Sequence, residues 1–156
     1  MVDQAYQLAY KAAYRVMRTY WKVRRPHTHG SLIAIWHKGS ILLVRTSYLS
    51  YWNLPGGYVK RGETAKQAAL RELGEEVGIH GIREADLEPV YDDVREWEGK
   101  NDHVEIFDLD VEREPRVEID NREIVDARFV SPEQALRMPL FPPIAEVVRK
   151  RLSDEG

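Results

Sequence analysis

Aromatic and apolar residues recur every three or four positions near the start of the chain. This spacing puts side chains on one face of a helix. The residues that show it are Tyr6, Tyr10, Tyr14, Met17 and Trp21. The pattern predicts a helix over residues 3–22. Pro26 is expected to end it near Arg25, because the residue before a proline avoids the helical conformation.

Shorter apolar runs follow and are typical of β-strands. Residues 32–36 and 41–44 flank a short turn at residues 38–40 that contains a glycine, which predicts a β-hairpin. Residues 52–57 then form a loop that ends in two adjacent glycines. Further strands are predicted over residues 87–91, 103–111 and 127–130.

The best-specified helix begins at Thr64. Thr64 and Gln67 match a capping box, and Gly78 stands where a glycine commonly ends a helix. Between them an apolar stripe with i,i+4 spacing comprises Ala65, Ala69, Leu73 and Val77. Two short helices are predicted near the end of the chain, over residues 132–136 and from Pro142 or Pro143 to residue 152. Strands mixed with helices in this order predict α/β layers around one sheet.

Composition narrows the class of protein. The 156 residues are 43% hydrophobic and 31% charged, which indicates one globular domain. The net charge is −3, which excludes an overall basic field for nucleic acid, and binding of nucleic acid is not expected. The absence of cysteine excludes disulfides, thiolate zinc sites and cysteine nucleophiles. No apolar run reaches the roughly 18 residues needed to span a bilayer, so we expect a cytoplasmic protein.

The charge is unevenly distributed. The first 25 residues contain six basic residues and one acidic residue, Asp3, and therefore carry +5. An amphipathic aromatic helix needs burial, which favours packing on its own domain or on a second subunit in a homodimer. Adsorption to an anionic membrane surface and contact with an RNA backbone are the remaining interpretations.

The candidate chemistry lies on the second helix. Glu72, Glu75 and Glu76 stand at i, i+3 and i+4, within an arc of about 100° on one face. Like charges at this spacing cost a few tenths of a kcal/mol per pair, so either the face is solvated or a cation offsets the repulsion. Hard cations such as Mg²⁺ or Mn²⁺ prefer oxygen ligands of this kind.

A longer spacing pattern separates these alternatives. Gly57 is followed by five residues and Glu63, then by seven residues and the run Arg71-Glu72-Leu73-Gly74-Glu75-Glu76-Val77-Gly78-Ile79. This matches every specified position of the Nudix box, G-x5-E-x7-R-E-U-x-E-E-x-G-U, in which U is aliphatic. From about residue 30 to about residue 130 the chain resembles the Nudix hydrolase superfamily. The resemblance implies an α/β/α sandwich with a central mixed β-sheet over residues 26–156, to which residues 1–25 add an N-terminal amphipathic helix.

The resemblance also implies a set of site residues. Glu72, Glu75, Glu76 and the carbonyl of Gly57 would bind Mg²⁺ or Mn²⁺, and Glu63 and Arg71 would orient these carboxylates. Relatives take the general base from the box, where Glu75 is a candidate, or from a downstream glutamate. Glu123 is our first candidate outside the box and Glu105 the second. Either can instead be an ordinary surface glutamate.

Residues near the glycine loop are candidates for binding the rest of the substrate. Arg45 would contact phosphates, and Tyr48 or Trp52 would stack on a nucleobase, unless these aromatic residues only pack the loop onto the sheet. His27 and His29 form an H-x-H pair with no third imidazole or thiolate at metal spacing, which disfavours a zinc site.

The function that the resemblance implies is metal-dependent hydrolysis of a pyrophosphate bond in a small nucleotide. A nucleoside diphosphate derivative is favoured, either ADP-ribose or a nucleotide sugar. Nucleoside triphosphates and the triphosphate end of RNA are the alternative substrates. A catalytically silent module that senses a nucleotide is the alternative outside enzymes.

Overall fold

Six strands and four helices build the fold, and the computed structural model describes all 156 residues. The helices are α1 (Val2–Arg24), α2 (Ala65–Val77), α3 (Pro132–Ala135) and α4 (Pro142–Glu155), and a 3₁₀ turn covers Glu84–Asp86. The strands are β1 (His27–His37), β2 (Ser40–Thr46), β3 (Gly56–Tyr58), β4 (Glu88–Trp97), β5 (Lys100–Asp110) and β6 (Ile124–Val130).

The strands form one mixed sheet in the order β4-β5-β1-β2-β6, with β3 paired to β1. β1 and β5 are parallel, in a register that runs from His27 opposite Asn101 to Trp36 opposite Asp110. The other pairings are antiparallel. The predicted mixed sheet is therefore confirmed.

Helices cover both faces of the sheet. Leu32 and Ala34 of β1 pack in the core that includes Ile144 of α4. Ile33, between them, packs on the opposite face with Leu73 of α2. Burial on both faces explains why residues 32–36 are an unbroken apolar run. The expected α/β/α sandwich is confirmed.

The ends of α2 follow the capping signals in the sequence. The Thr64 hydroxyl accepts a hydrogen bond from the Gln67 backbone N–H at 3.2 Å, and the Gln67 side chain accepts one from the Thr64 N–H at 3.0 Å. Gly78 ends the helix with φ of 70°. The apolar stripe faces the sheet, with Ala69, Leu73 and Val77 buried, so the carboxylates of α2 lie away from the core.

The glycine loop is inserted between β1 and β2. The Ile33 N–H donates to the Pro55 carbonyl at 2.9 Å, and the Val44 N–H donates to the Asn53 carbonyl at 2.8 Å. The loop predicted over residues 52–57 is wrong for its last two residues, because Gly56 and Gly57 pair with β1 as part of β3. A Cβ at Gly56 would lie 2.8 Å from Leu32 Cα, so only glycine allows this approach.

Two predicted strands were too short. β4 continues to Trp97 and β5 begins at Lys100, whereas the pattern predicted residues 87–91 and 103–111. β4 is an edge strand whose second half is rich in exposed charged residues, so it carries little apolar signal. β1 likewise begins at His27, five residues before its apolar run.

Helix α1 lies against the domain with few buried side chains. Trp21 is its only buried residue, while Tyr10 and Tyr14 pack against Tyr48 with ring centroids 6.1 and 5.1 Å apart. No helix of this protein is both long enough and apolar enough to cross a bilayer.

Candidate active site

Two carboxylates of α2 contact the glycine loop. Glu76 Oε2 accepts a hydrogen bond from the Gly56 N–H at 2.9 Å. A Cβ at Gly57 would lie 2.6 Å from Glu72 Oε1, so the loop backbone approaches Glu72 as closely as a glycine permits. The structure thus brings together Gly57, Glu72 and Glu76, three of the four residues proposed as metal ligands.

Arg71 links the carboxylates of the Nudix box. Its Nε and Nη2 donate to the two oxygens of Glu63 at 2.8 and 3.0 Å, and its Nη1 donates to Glu72 Oε1 at 2.6 Å. The same Nη1 lies 3.3 Å from an oxygen of the exposed Glu75. Hydrogen bonds from Arg71 and from the Lys60 N–H lower the pKa of Glu63 to about 2. Glu63 therefore stays ionised and holds the guanidinium in a fixed orientation.

Glu123 approaches the α2 carboxylates from the loop before β6. Its Oε1 accepts a hydrogen bond from the Tyr48 hydroxyl at 3.0 Å. Burial raises the pKa of the Glu123 carboxyl, and the negative charge of Glu72 raises it further. Burial also raises the pKa of Glu76 well above its ordinary value, with further contributions from Glu72 and Glu123. Glu72, Glu75, Glu76 and Glu123 are therefore close enough to influence one another electrostatically.

The donor set fits a hard divalent cation. It consists of carboxylate oxygens and the Gly57 carbonyl, which are the ligands that Mg²⁺ and Mn²⁺ prefer. Arg71 is the one basic side chain that contacts these carboxylates. Burial is the main cause of the raised pKa values of Glu76 and Glu123, and repulsion between the carboxylates adds to it; a bound cation would relieve that repulsion.

A cavity of about 150 Å³ adjoins this cluster. Gly56, Gly57 and Tyr48 line it, and these residues also contact the carboxylates Glu76, Glu72 and Glu123. The other aromatic lining residues include Tyr51, Tyr58, Trp97 and Phe141. The cavity and the carboxylate cluster therefore share one wall.

Of the three residues predicted to bind substrate, only Tyr48 lines the cavity. The Arg45 guanidinium lies over the ring of Trp52, 5.8 Å from its centroid, and Arg128 lies over the same ring at 4.9 Å. Arg45 is exposed. Arg45 and Trp52 thus form a cation–π group outside the cavity.

Sequence reasoning missed two charged residues of the cavity. Lys100 and Asp102 are each 5% exposed, and the Lys100 ammonium lies 3.4 Å from Asp102 Oδ2. Burial lowers the pKa of Lys100. The alternation of Val104 and Ile106 along β5, extended back by two and four residues, would have placed both charged residues on a buried face.

A second group of donors lies on the sheet. His29 and His103 are opposite each other in the parallel register of β1 and β5, and their rings stack with centroids 4.2 Å apart. A carboxylate oxygen of Glu105 lies 2.6 Å from His29 Nε2 and accepts a hydrogen bond from it. The three donor atoms lie within 4.8 Å of one another. The fold therefore gives His29 the neighbouring imidazole that sequence spacing did not reveal, and it places Glu105 in this group.

The matches to named relatives are short. A Bacillus subtilis (strain 168) protein provisionally named 8-oxo-dGTP diphosphatase is 37% identical over 62 residues, which are 39% of this chain and 42% of that protein. An RNA pyrophosphohydrolase of Sphingopyxis alaskensis is 60% identical over 30 residues, 19% of this chain and 19% of that protein. This chain therefore aligns with less than half the length of either relative.

The fold and the family match extend much further. The crystal structure of the MutT protein from Methanosarcina mazei Go1 superposes with a TM-score of 0.66 at 26% identity, and the match covers 85% of this chain and 98% of that one. The family described as NUDIX domain matches residues 26–151, from just after α1 almost to the end of α4. The glycine loop, α2 and Glu123 all lie within that range, and this chain belongs to the NUDIX domain family.

Proposed function

We propose that this protein is a divalent-metal-dependent pyrophosphohydrolase that acts on a small nucleotide. The observation that carries the proposal is the convergence of Glu72, Glu76 and Glu123 beside the Gly57 backbone. These groups come from α2, the glycine loop and the segment before β6, and their negative charge requires a counterion. A divalent cation would supply that positive charge and would also bind the negative oxygens of a phosphoanhydride.

Glu72, Glu75, Glu76 and the Gly57 carbonyl would hold the cation. A divalent cation there neutralises charge on phosphoryl oxygens and lowers the pKa of water. Arg71 keeps the Glu72 carboxylate oriented through its 2.6 Å hydrogen bond, and Glu63 fixes Arg71 in turn. This support limits the motion of the ligand oxygens.

Glu123 is the proposed general base. Tyr48 donates to its Oε1, so Oε2 is available to take a proton from the attacking water. A raised pKa makes the Glu123 carboxylate a stronger base than an ordinary glutamate. Glu75, which is exposed and contacts Arg71 at 3.3 Å, is the alternative base. Separate Glu123→Gln and Glu75→Gln variants assign the role, because loss of the base removes the acidic limb of the pH–rate profile, where the rate rises as the base loses its proton.

The cavity supports a substrate that carries one nucleobase. A cavity of about 150 Å³ with mostly hydrophobic lining residues has room for one aromatic base. ADP-ribose and nucleotide sugars were favoured by the sequence and remain candidates. Nucleoside triphosphates stand beside them, because the relative that is 37% identical is named for 8-oxo-dGTP. The RNA triphosphate end is the further candidate, from the name of the relative that is 60% identical.

A substrate panel tests the proposal. ADP-ribose, GDP-mannose, nucleoside triphosphates with 8-oxo-dGTP, and 5′-triphosphorylated RNA are each incubated with the protein and Mg²⁺ or Mn²⁺. We expect hydrolysis of at least one mononucleotide, abolished by EDTA. If the protein binds a nucleotide but hydrolyses none of the panel with either Mg²⁺ or Mn²⁺, the proposal is contradicted and a sensing module is indicated.

We further propose that the protein forms a homodimer through the outer face of α1 and acts in the cytoplasm. Leu8, Val16 and Val23 on that helix are 66%, 72% and 77% exposed. An apolar row of this kind suits a two-fold contact. Sedimentation velocity of the wild type and of a Val16→Asp variant tests the dimer. A wild type that remains monomeric at high concentration would exclude it.

A further inference from the structure

Helix α1 crosses the active-site side of the domain and is held near both ends. Near its start, Asp3 pairs with Arg122 at 3.0 Å, and the Gln7 side chain donates to the Asn121 carbonyl at 2.7 Å. These contacts attach α1 to the loop that carries Glu123. Near its end, α1 passes so close to the β4–β5 turn that a Cβ at Gly99 would lie 3.0 Å from Lys22 Cα.

Between these two attachments, α1 faces the cavity. Tyr14, Met17 and Trp21 line it, at the i, i+3 and i+7 positions of one helix face. Trp21 is 6% exposed, yet it belongs to neither of the two core clusters of the sandwich. The most buried side chain of α1 therefore builds the wall of a cavity, and not the core of the domain.

Polar groups lie at the same wall. The Lys100 ammonium lies 4.4 Å from the centre of the Trp21 ring and donates to the Tyr58 hydroxyl at 2.7 Å. An ammonium has three N–H donors, so one hydrogen bond and the ion pair with Asp102 leave capacity for a ligand acceptor. The Tyr14 hydroxyl donates to Glu98, which also lines the cavity. Apolar walls with a few oriented polar groups are typical of small-molecule sites.

We propose that α1 completes the nucleobase subsite of the active site. Tyr14, Met17 and Trp21 form its apolar wall, and Lys100 with Asp102 supplies a donor and an acceptor for the edge of the base. This inference rests on the proposed function for its substrate class. The family match begins at residue 26, so the apolar wall formed by Tyr14, Met17 and Trp21 comes from the segment before the NUDIX domain.

Truncating side chains of the apolar wall should weaken nucleotide binding without changing the rate of hydrolysis of the bound nucleotide. For the best mononucleotide substrate, we expect Trp21→Ala and Met17→Ala each to raise KM at least about fivefold while kcat stays within about twofold. We expect KM to change and kcat to stay constant because, in the proposed subsite, these side chains contact the base and not the metal-binding carboxylates of α2. Trp21→Phe retains a ring and should recover most of the affinity.

The matched control is Tyr20→Ala, a truncation of an aromatic side chain on the same helix that is 54% exposed, outside the cavity and outside the row proposed for the dimer. Its KM should equal that of the wild type. Unchanged KM in a folded Trp21→Ala or Met17→Ala protein, or an equal rise in Tyr20→Ala, would overturn the inference. If Trp21→Ala does not fold, Met17→Ala decides the question.

Calorimetry keeps this inference separate from the proposed function. Dissociation constants for a non-hydrolysable nucleoside triphosphate analogue, measured with Mg²⁺, should rise at least about fivefold in Met17→Ala and Trp21→Ala and not in Tyr20→Ala. A wild type that hydrolyses no substrate while showing this pattern contradicts the hydrolase and supports the subsite. A wild type that hydrolyses nucleotides while all variants bind equally supports the hydrolase and overturns the subsite.

Discussion

At the scale of single residues, Glu76 combines a buried charge with a contact that an amide can also make. Its carboxylate accepts from the Gly56 N–H, and burial raises its pKa. Glu76→Gln keeps an oxygen for that hydrogen bond and removes the charge. We therefore expect a loss of turnover of at least about 100-fold, because a metal ligand loses its charge without a change in volume.

The same substitution should not weaken the metal-free fold. In EDTA, the free energy of unfolding of Glu76→Gln, measured by urea denaturation, should equal or exceed that of the wild type, because an ionised carboxylate no longer has to be buried. Turnover by this variant at the wild-type rate with Mg²⁺ would show that Glu76 is not a ligand.

Gly57 allows a close contact that no other residue would. The Cβ of a Gly57→Ala variant would meet Glu72 Oε1 at 2.6 Å and displace the carboxylate. We expect weaker activation by Mg²⁺ and at least about tenfold lower kcat/KM, since misplaced catalytic groups lose much of their effect. The circular dichroism spectrum should not change. Wild-type kinetics in this variant would show that the approach of Gly57 to Glu72 is not needed.

At the scale of elements, helix α2 is both the carrier of the carboxylates and a part of the core. Its start depends on the reciprocal hydrogen bonds of Thr64 and Gln67. Thr64→Ala should lower the free energy of unfolding by about 1 kcal/mol, the usual cost of losing a cap. The control is Thr19→Ala in α1, where the hydroxyl contacts the Arg15 carbonyl within the helix. Equal effects of the two substitutions in urea denaturation would contradict the capping role.

The predicted elements differ in how well the sequence specified them. Helix α2 was located correctly because its cap, apolar stripe and terminal glycine are all local signals. Strand β4 was predicted only up to Tyr91, because an edge strand can alternate charged residues with few apolar ones. Strand β3 was missed because its pairing with residues 30–32 depends on a partner distant in the sequence.

At the scale of the whole molecule, the carboxylate cluster should control how stability depends on pH. Burial and neighbouring carboxylates raise the pKa values of Glu76 and Glu123 in the folded state above the ordinary value of 4.5. Protonated groups then favour folding, so their contribution is present below pH 4.5 and is lost as the pH rises through the raised values. The metal-free protein should therefore melt at a lower temperature at pH 8 than at pH 5.

Two comparisons test the origin of this pH dependence. Saturating Mg²⁺ should flatten it, because a bound cation favours the ionised carboxylates, and Glu76→Gln should flatten it in EDTA. Glu63 acts in the opposite direction, because its pKa is lowered to about 2, so its contribution is lost only as the pH falls from about 4.5 toward 2. If the melting temperature falls equally between pH 5 and pH 8 in the metal-free wild type and in Glu76→Gln, groups other than Glu76 cause the pH dependence.

The sequence by itself determined the chemistry that this protein can carry out and the helix that presents it. The spacing of Gly57, Glu63, Arg71 and the three glutamates is a local property, and one capped helix places Glu72, Glu75 and Glu76 on one face. Tertiary structure alone decided what surrounds that face. Lys100 and Asp102 meet Trp21, and His29 meets His103, only because the sheet register and the path of α1 join residues that are about 80 positions apart.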